Sequence, residues 1–199
     1  MSLSLLDWRR QVAALYAEVR AAPDPVQAHS RWRAVREELI LTHPDSPIPA
    51  EERGRFRGLS VAPYDAALRW ELEVDTDVEA SRFETVTGTD GVVAFRRIGV
   101  LHLPALGDLD VWWLCSYAGG VFVPMKDATA GTQSYGGGRY LLDTAKAADL
   151  GGSGGRLVVD LNFAYNPSCA YAPAWACPLA PQGNVLAGPV QAGEMLPLS

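Results

Sequence analysis

Residues 68–103, LRWELEVDTDVEASRFETVTGTDGVVAFRRIGVLHL, decide the fold class of this chain. In LRWELEV, Leu68, Trp70, Leu72 and Val74 alternate with charged residues, so one face of a strand is apolar and the other polar. SRFETVTG follows as a second strand, and Thr89-Asp90-Gly91 reads as a hairpin turn. VVAFRRIGVLHL is a long third strand, with a bulge expected at Gly99. LGDLD then turns the chain into VWWLCSY, and Gly119-Gly120 precedes VFVP. Later, GRYLLD, GRLVVDLN and GPVQAGE read as three more strands. Short strands joined by brief turns predict antiparallel pairing, because parallel strands need long crossovers. The strands are expected near 66–75, 81–88, 91–103, 109–116 and 156–162.

Upstream, the periodicity changes. Leu5, Trp8, Val12, Leu15, Tyr16 and Val19 recur at helical spacing. Ser4 is read as the N-cap of this helix, with Asp7 three residues on. Pro23-Asp24-Pro25 ends it, Asp24 caps a second helix, and Pro25 sits in its first turn. Trp32, Val35 and Leu39 form the apolar stripe of that helix, which ends near Thr42 ahead of Pro44. The expected fold is therefore mainly β (α+β): an antiparallel sheet, sandwich or barrel with an N-terminal helical pair. Residues 1–43 form the pair, and residues 44–199 form the β-domain with long ordered C-terminal loops.

Composition limits the function classes. With 199 residues, 48% hydrophobic and 20% charged, the chain reads as one ordinary globular domain. A net charge of -6 argues against a nucleic-acid partner, since phosphate binding needs clustered cations. Arg53, Arg55 and Arg57 adjoin Glu51 and Glu52 and read as a solvated face. No targeting signal or membrane-length apolar run is found, so a cytoplasmic protein without a membrane partner is expected. Nothing in the sequence bears on the oligomeric state, and whether the chain takes a cofactor is unknown from it.

The last third of the chain is where binding residues are expected. It is rich in turn formers yet dense in aromatic anchors, which suggests ordered loops on a scaffold. Asp127 follows a strand end, Arg139 begins a strand, and Asn162 closes another. Asp127, Tyr135, Arg139, Asn162, Tyr165 and Asn166 are expected to converge on one cleft, with the Arg139 fork as anchor for a carboxylate or phosphate. The competing reading has Asn side chains bonding turns and Arg139 paired with an aspartate to hold loops together.

His43, Asp160, Cys169 and Cys177 are secondary candidates. His43 opens His43-Pro44-Asp45-Ser46-Pro47, a stiff loop that either stops the helix or enters the site. His102 is expected on the polar face of a strand. Cys169 and Cys177 are too far apart for a C-x-x-C motif, and no second pair completes a zinc site, so no metal is assigned. Free buried thiols, a loop-closing disulfide, and metal or nucleophilic work are the alternatives. In a reducing compartment the two are expected to be unbridged. Cys115, flanked by Trp113, Leu114 and Tyr117, is read as a small buried hydrophobe. Gly136-Gly137-Gly138 and the 151–155 glycine run lack the Lys-Ser/Thr of a P-loop and read as turns.

Taken together, Asp127-Ala128-Thr129 with Gly131, Tyr135–Tyr140, Asp160–Tyr171, Cys177-Pro178 with Pro181 and Asn184, and Ala192-Gly193-Glu194 resemble the Domain of Unknown Function 1684 family. His43–Pro47 and Phe56-Arg57-Gly58-Leu59 extend the likeness, which runs from the second helix to Glu194. Met125-Lys126 departs from it, at a position where the family more often carries an aromatic residue. The resemblance implies no activity. The functional expectation rests on the residues: a module binding a small polar or anionic ligand in a loop-lined cleft. The alternative is a hydrolase or transferase using Asp127 or Asp160, or Cys169 with His43.

Overall fold

The computed structural model describes residues 3–88 and 91–197. Two helices open the chain, α1 (Leu3–Ala21) and α2 (Pro25–Thr42). Asp24 caps α2 as expected: its Oδ1 accepts from the N–H groups of Val26 (2.9 Å) and Gln27 (3.3 Å). Ser4 does not precede α1 but lies inside it, because the helix already runs at Leu3. Leu15, Tyr16, Ala28 and Trp32 bury their side chains in the main core, and Val35 packs beside them.

Seven strands follow: β1 (Arg69–Glu73), β2 (Arg82–Thr87), β3 (Gly91–Leu103), β4 (Gly107–Leu114), β5 (Val121–Met125), β6 (Arg139–Asp143) and β7 (Arg156–Asp160). Strands β2 to β6 form an antiparallel meander in chain order, curled into a half-barrel, and β1 pairs with β7. Two bridges tie the small pair to the large sheet. Asp75 exchanges backbone bonds with Val100 on β3, and Tyr165, just beyond β7, does so with Tyr140 on β6. GPVQAGE is not a strand. Its glycine and proline leave it a loop, bridged to Val61 at Glu194 and bonded along its length to Ala62, Ala128, Ala164 and the Arg139 and Asp127 side chains. The Thr89-Asp90 part of the expected hairpin turn lies outside the described residues.

The bulge at Gly99 decides which side chains face where. Register shifts between Arg97 and Gly99. Before it, Phe95 faces an aromatic layer; after it, Leu101 and Leu103 face the main core. One extra residue exchanges the two faces of a strand, which is why a single long strand serves both. Glycine is required there. A Cβ would lie 2.4 Å from Val74 Cγ1 and 2.6 Å from the Asp75 carbonyl.

The aromatic layer is a continuous ladder across the sheet. Phe83 stacks on Phe95 (4.7 Å), Phe95 meets Phe122 (5.1 Å), Phe122 meets Tyr140 (4.8 Å) and Tyr140 meets Tyr165 (5.7 Å). Offset and edge contacts of this kind add to simple burial. The ladder ends at Tyr165, beside the helices, and so fixes one wall of the site.

Candidate functional site

Most of the polar residues singled out in the sequence turn out to be staples. Arg139 is fully buried. Its Nη2 donates to Asp127 Oδ2 (2.6 Å) and the Val190 carbonyl (3.0 Å), and Nη1 to the carbonyls of Ala192 and Glu194. Asp127 Oδ1 accepts from the Thr129 N–H (2.8 Å), its hydroxyl (2.6 Å) and the Val190 N–H (3.1 Å). Burial pushes the Asp127 carboxyl upward, but the Thr129 bonds, Arg139 and Val190 outweigh it and hold its pKa below the ordinary value. Both Nη groups of Arg139 are thus already filled by its own chain, while its buried Nε has no hydrogen-bond partner among the described residues.

Asn162 and Asn184 work the same way. Asn162 Nδ2 donates to Asp160 Oδ1 (2.7 Å) and the Asp65 carbonyl (2.8 Å), while Oδ1 accepts from the Asp65 N–H (2.8 Å). Asn184 Oδ1 accepts from Trp112 Nε1 (2.8 Å), and Nδ2 donates to the carbonyls of Asp110 (2.9 Å) and Pro124 (2.8 Å). Asp160 also accepts from the Tyr64 hydroxyl (3.1 Å), with Arg69 at 3.6 Å. Burial raises its pKa, against the bonds from Asn162, Tyr64 and Arg69.

His43 caps the C-terminus of α2. Its backbone N–H donates to Leu39, its Nδ1 accepts from the Asp45 N–H (3.0 Å), and Nε2 faces Asp7 (3.4 Å). Both ring nitrogens are therefore engaged, one within the helix-end loop and the other with α1. Cys169 and Cys177 are free and half-buried, and Cys177 and Tyr135 together lower the Cys169 pKa to about 6 against the effect of burial. Cys115 is exposed rather than buried, because β4 has ended and the chain is turning outward. His102 lies on the polar face as read, between Asp108 (2.8 Å) and Asp75 (3.4 Å).

Tyr165 and Asn166 are the two expected ligand residues that line a cleft between the helices and the late loops. It has a volume of about 110 Å³, and Trp8, Tyr16, Arg36, Tyr140, Asp143, Lys146 and Tyr171 share its walls. At its back lies an ion pair that sequence reading did not place. Arg36 Nε and Nη2 (3.3 Å) donate to the Glu194 carboxylate, and Nη2 also to the Asn166 carbonyl (3.1 Å). Glu194 Oε2 further accepts from the Asn166 N–H (2.7 Å) and the Tyr171 hydroxyl (2.7 Å). The Arg36 guanidinium lies over the Tyr165 ring, 4.6 Å from its centroid.

Exposure separates the two partners. The Glu194 side chain is 1% exposed and that of Arg36 15%. Burial disfavours the Arg36 charge, yet Glu194 and Tyr171 hold its pKa above the ordinary value. Burial also raises Tyr165 and Tyr171 well above the usual phenol range and Tyr16 to about 12, so all three keep their protons at neutral pH. One residue of this cleft has capacity to spare. Asn166 Oδ1 is buried with no hydrogen-bond partner, one of three such side-chain atoms among the described residues.

A larger open groove of about 630 Å³ runs past Arg20, Arg69, Asp160 and the Gly151-Gly152 turn. Its cations are engaged: Arg20 Nη1 donates to the Asp149 carbonyl (2.6 Å), and Arg69 faces Asp160. No helix among the described residues is long and apolar enough to cross a membrane.

Arg36 carried a readable signal. It stands four residues after Trp32 and four before Ile40, both fully buried, so a charge sits in the inward stripe of α2. Glu194 was visible only as part of a motif, because its partner lies 158 residues away.

No curated protein gives a significant match to the chain. Among solved structures, the chain is similar to an uncharacterised protein of Haloarcula marismortui determined by solution NMR. Identity is 31%, the match covers 98% of this chain and 97% of that one, and the TM-score is 0.59. The family model described as "Protein of unknown function (DUF1684)" matches residues 54–195, a span that contains Asn166, Glu194 and every staple described above, and the chain belongs to that family.

Proposed function

We propose that the protein binds a small polar ligand in the cleft between α1, α2 and the Tyr165–Tyr171 loop. The ligand carries a carboxylate or carbonyl for Arg36 Nη1 and a hydroxyl or amine for Asn166 Oδ1. The observation that carries this reading is the unpartnered Oδ1 of Asn166, a residue that lines the same cleft as the Arg36 guanidinium. A buried acceptor left unpaired costs about 1–3 kcal/mol, so a bound donor recovers that amount. Charge favours a hydroxy or amino acid over a multiply charged anion, since Arg36 and Lys146 face Glu194 and Asp143 in equal number. The volume limits the ligand to a few non-hydrogen atoms, somewhat less than the benzene that fills a 150 Å³ cavity. The phenols are held protonated, so the cleft offers no phenolate base, and binding is favoured over acid–base chemistry. A cytoplasmic location supplies small metabolites of this kind.

The test is native mass spectrometry of freshly purified protein, followed by thermal melts with two- to four-carbon hydroxy and amino carboxylates. A retained small mass, or a melting temperature raised by one acid and not in Tyr165→Phe, supports the reading. A bare chain that no acid stabilises overturns it.

A further inference from the structure

The cleft beside Tyr165 is richer in proton acceptors and aromatic surface than in donors. Five of its lining residues are aromatic: Trp8, Tyr16, Tyr140, Tyr165 and Tyr171. The Tyr140 hydroxyl gives its proton to the Pro178 carbonyl (2.7 Å), and that of Tyr171 to Glu194 Oε2 (2.7 Å). What these two side chains keep for a ligand is π surface and hydroxyl lone pairs. Neutral aromatic surface attracts a cation, and the Arg36 guanidinium already uses the Tyr165 ring in this way.

Asn166 is spent on its donor side. Its backbone N–H donates to Glu194 Oε2 and its Nδ2 to the Met195 carbonyl, each at 2.7 Å. A carbonyl only accepts, so the Met195 bond fixes which way the amide is turned and leaves Oδ1 as the end without a partner. That oxygen takes a proton and cannot give one. Asp143 adds a carboxylate to the same cleft. Its side chain is 8% exposed, while that of Lys146, whose Nζ lies 3.5 Å from Asp143 Oδ2, is 61% exposed. A pair whose cation stays solvated gains little, so a ligand's cation can replace Lys146 at Asp143.

We propose, resting on the binding reading above, that the cleft selects a small α-amino acid over the matching hydroxy acid. The ligand's ammonium group is held by Asn166 Oδ1, the Asp143 carboxylate and the aromatic surface, and its carboxylate by Arg36. An ammonium group brings three donors and no acceptor, which suits these partners. A hydroxyl brings one donor, and its lone pairs find no proton on Asn166 Oδ1 or Asp143. Hydrogen bonds from a charged donor are roughly twice as strong as neutral ones, and only a cation gains from the rings.

The test is a calorimetric titration of the full-length chain at neutral pH with L-alanine and with L-lactate, which differ only in the group on the α-carbon. Alanine is expected to bind tighter by about tenfold or more. Lactate binding as tightly as alanine, or tighter, overturns this inference and leaves the binding reading standing. Binding of neither acid overturns both. Two variants locate the ammonium group. Asp143→Asn is expected to bring alanine toward lactate. Lys146→Met, a change at an exposed side chain that leaves the core untouched, is expected to tighten alanine and leave lactate as it was. Equal weakening of both acids in Lys146→Met, or an unchanged alanine-to-lactate ratio in the two variants, overturns the assignment of Asp143 to the ammonium group.

Discussion

Replacing Arg139 by lysine separates the structural role of this residue from a ligand-binding one. The guanidinium makes bonds to four acceptors at once: Asp127 Oδ2 and the carbonyls of Val190, Ala192 and Glu194. An ammonium on a flexible stem keeps the charge and holds Asp127, but it cannot span the fork. At least two buried carbonyls then lose a charged donor. At about 1–3 kcal/mol for each buried group left unpaired, the central expectation is roughly 3 kcal/mol of destabilisation. Chains of 150–250 residues lose about 2–4 °C per kcal/mol, so the melting temperature falls by about 6–12 °C. Circular dichroism melts at pH 7 read this directly. A change below about 2 °C refutes the reasoning, and would mean that the fork is not what holds the 190–194 segment to β6.

The other predictions follow from the same contacts. Gly99→Ala drives a methyl group into Val74 and the Asp75 carbonyl, and is expected to cost about 1–3 kcal/mol in denaturant titration; an unchanged midpoint would show the bulge to be pliable. His29 is buried with Nε2 donating to the Asn162 carbonyl (3.0 Å), and burial lowers its pKa. Its contribution is complete above the unfolded histidine value of about 6.5 and declines as pH falls below it. His29→Phe is expected to flatten the stability profile between about pH 6.5 and 5, and an unaltered slope would count against a buried neutral imidazole. Asp127, with a lowered folded pKa, contributes above the unfolded value of about 3.9 and loses that contribution only in stronger acid. A stability that falls as pH drops below about 4, with a shallower fall in Asp127→Asn, is the expected readout in denaturant titration.

The elements were legible where one physical signal dominated. Alternation in LRWELEV and the unbroken 91–103 stretch placed β1 and β3, and Pro23-Asp24-Pro25 placed the join between the helices. GPVQAGE misled because its backbone bonds go to separate segments, at Ala62, Ala128 and Ala164, and not to one neighbouring strand; that neighbour is not written locally. Ser4 misled because a cap residue inside a helix reads the same as one before it. In the site, Tyr165 and Asn166 were found because they sit in a turn-rich segment dense in aromatics. Arg139 and Asn162 were drawn to the same cleft by residue type alone. Their burial, and the acceptors that satisfy them, come from chain segments up to 97 residues away. Arg36 was overlooked because a lone charge on a helix reads as solvated unless its place in the apolar stripe is counted. Cys115 failed for the opposite reason: its apolar neighbours suggested burial, while the strand ends one residue earlier.

The claim that the cleft beside Tyr165 receives a small hydroxy or amino acid is tested most directly by NMR. Backbone and Arg Nε resonances of the labelled full-length chain are followed while glycolate, lactate, glycine or serine is added. The account predicts saturable shifts for at least one acid, largest at Arg36, Tyr165 and Asn166 and weak around Arg20 and Arg69. Shifts confined to the larger groove, or no saturable shift with any of the four, would contradict it.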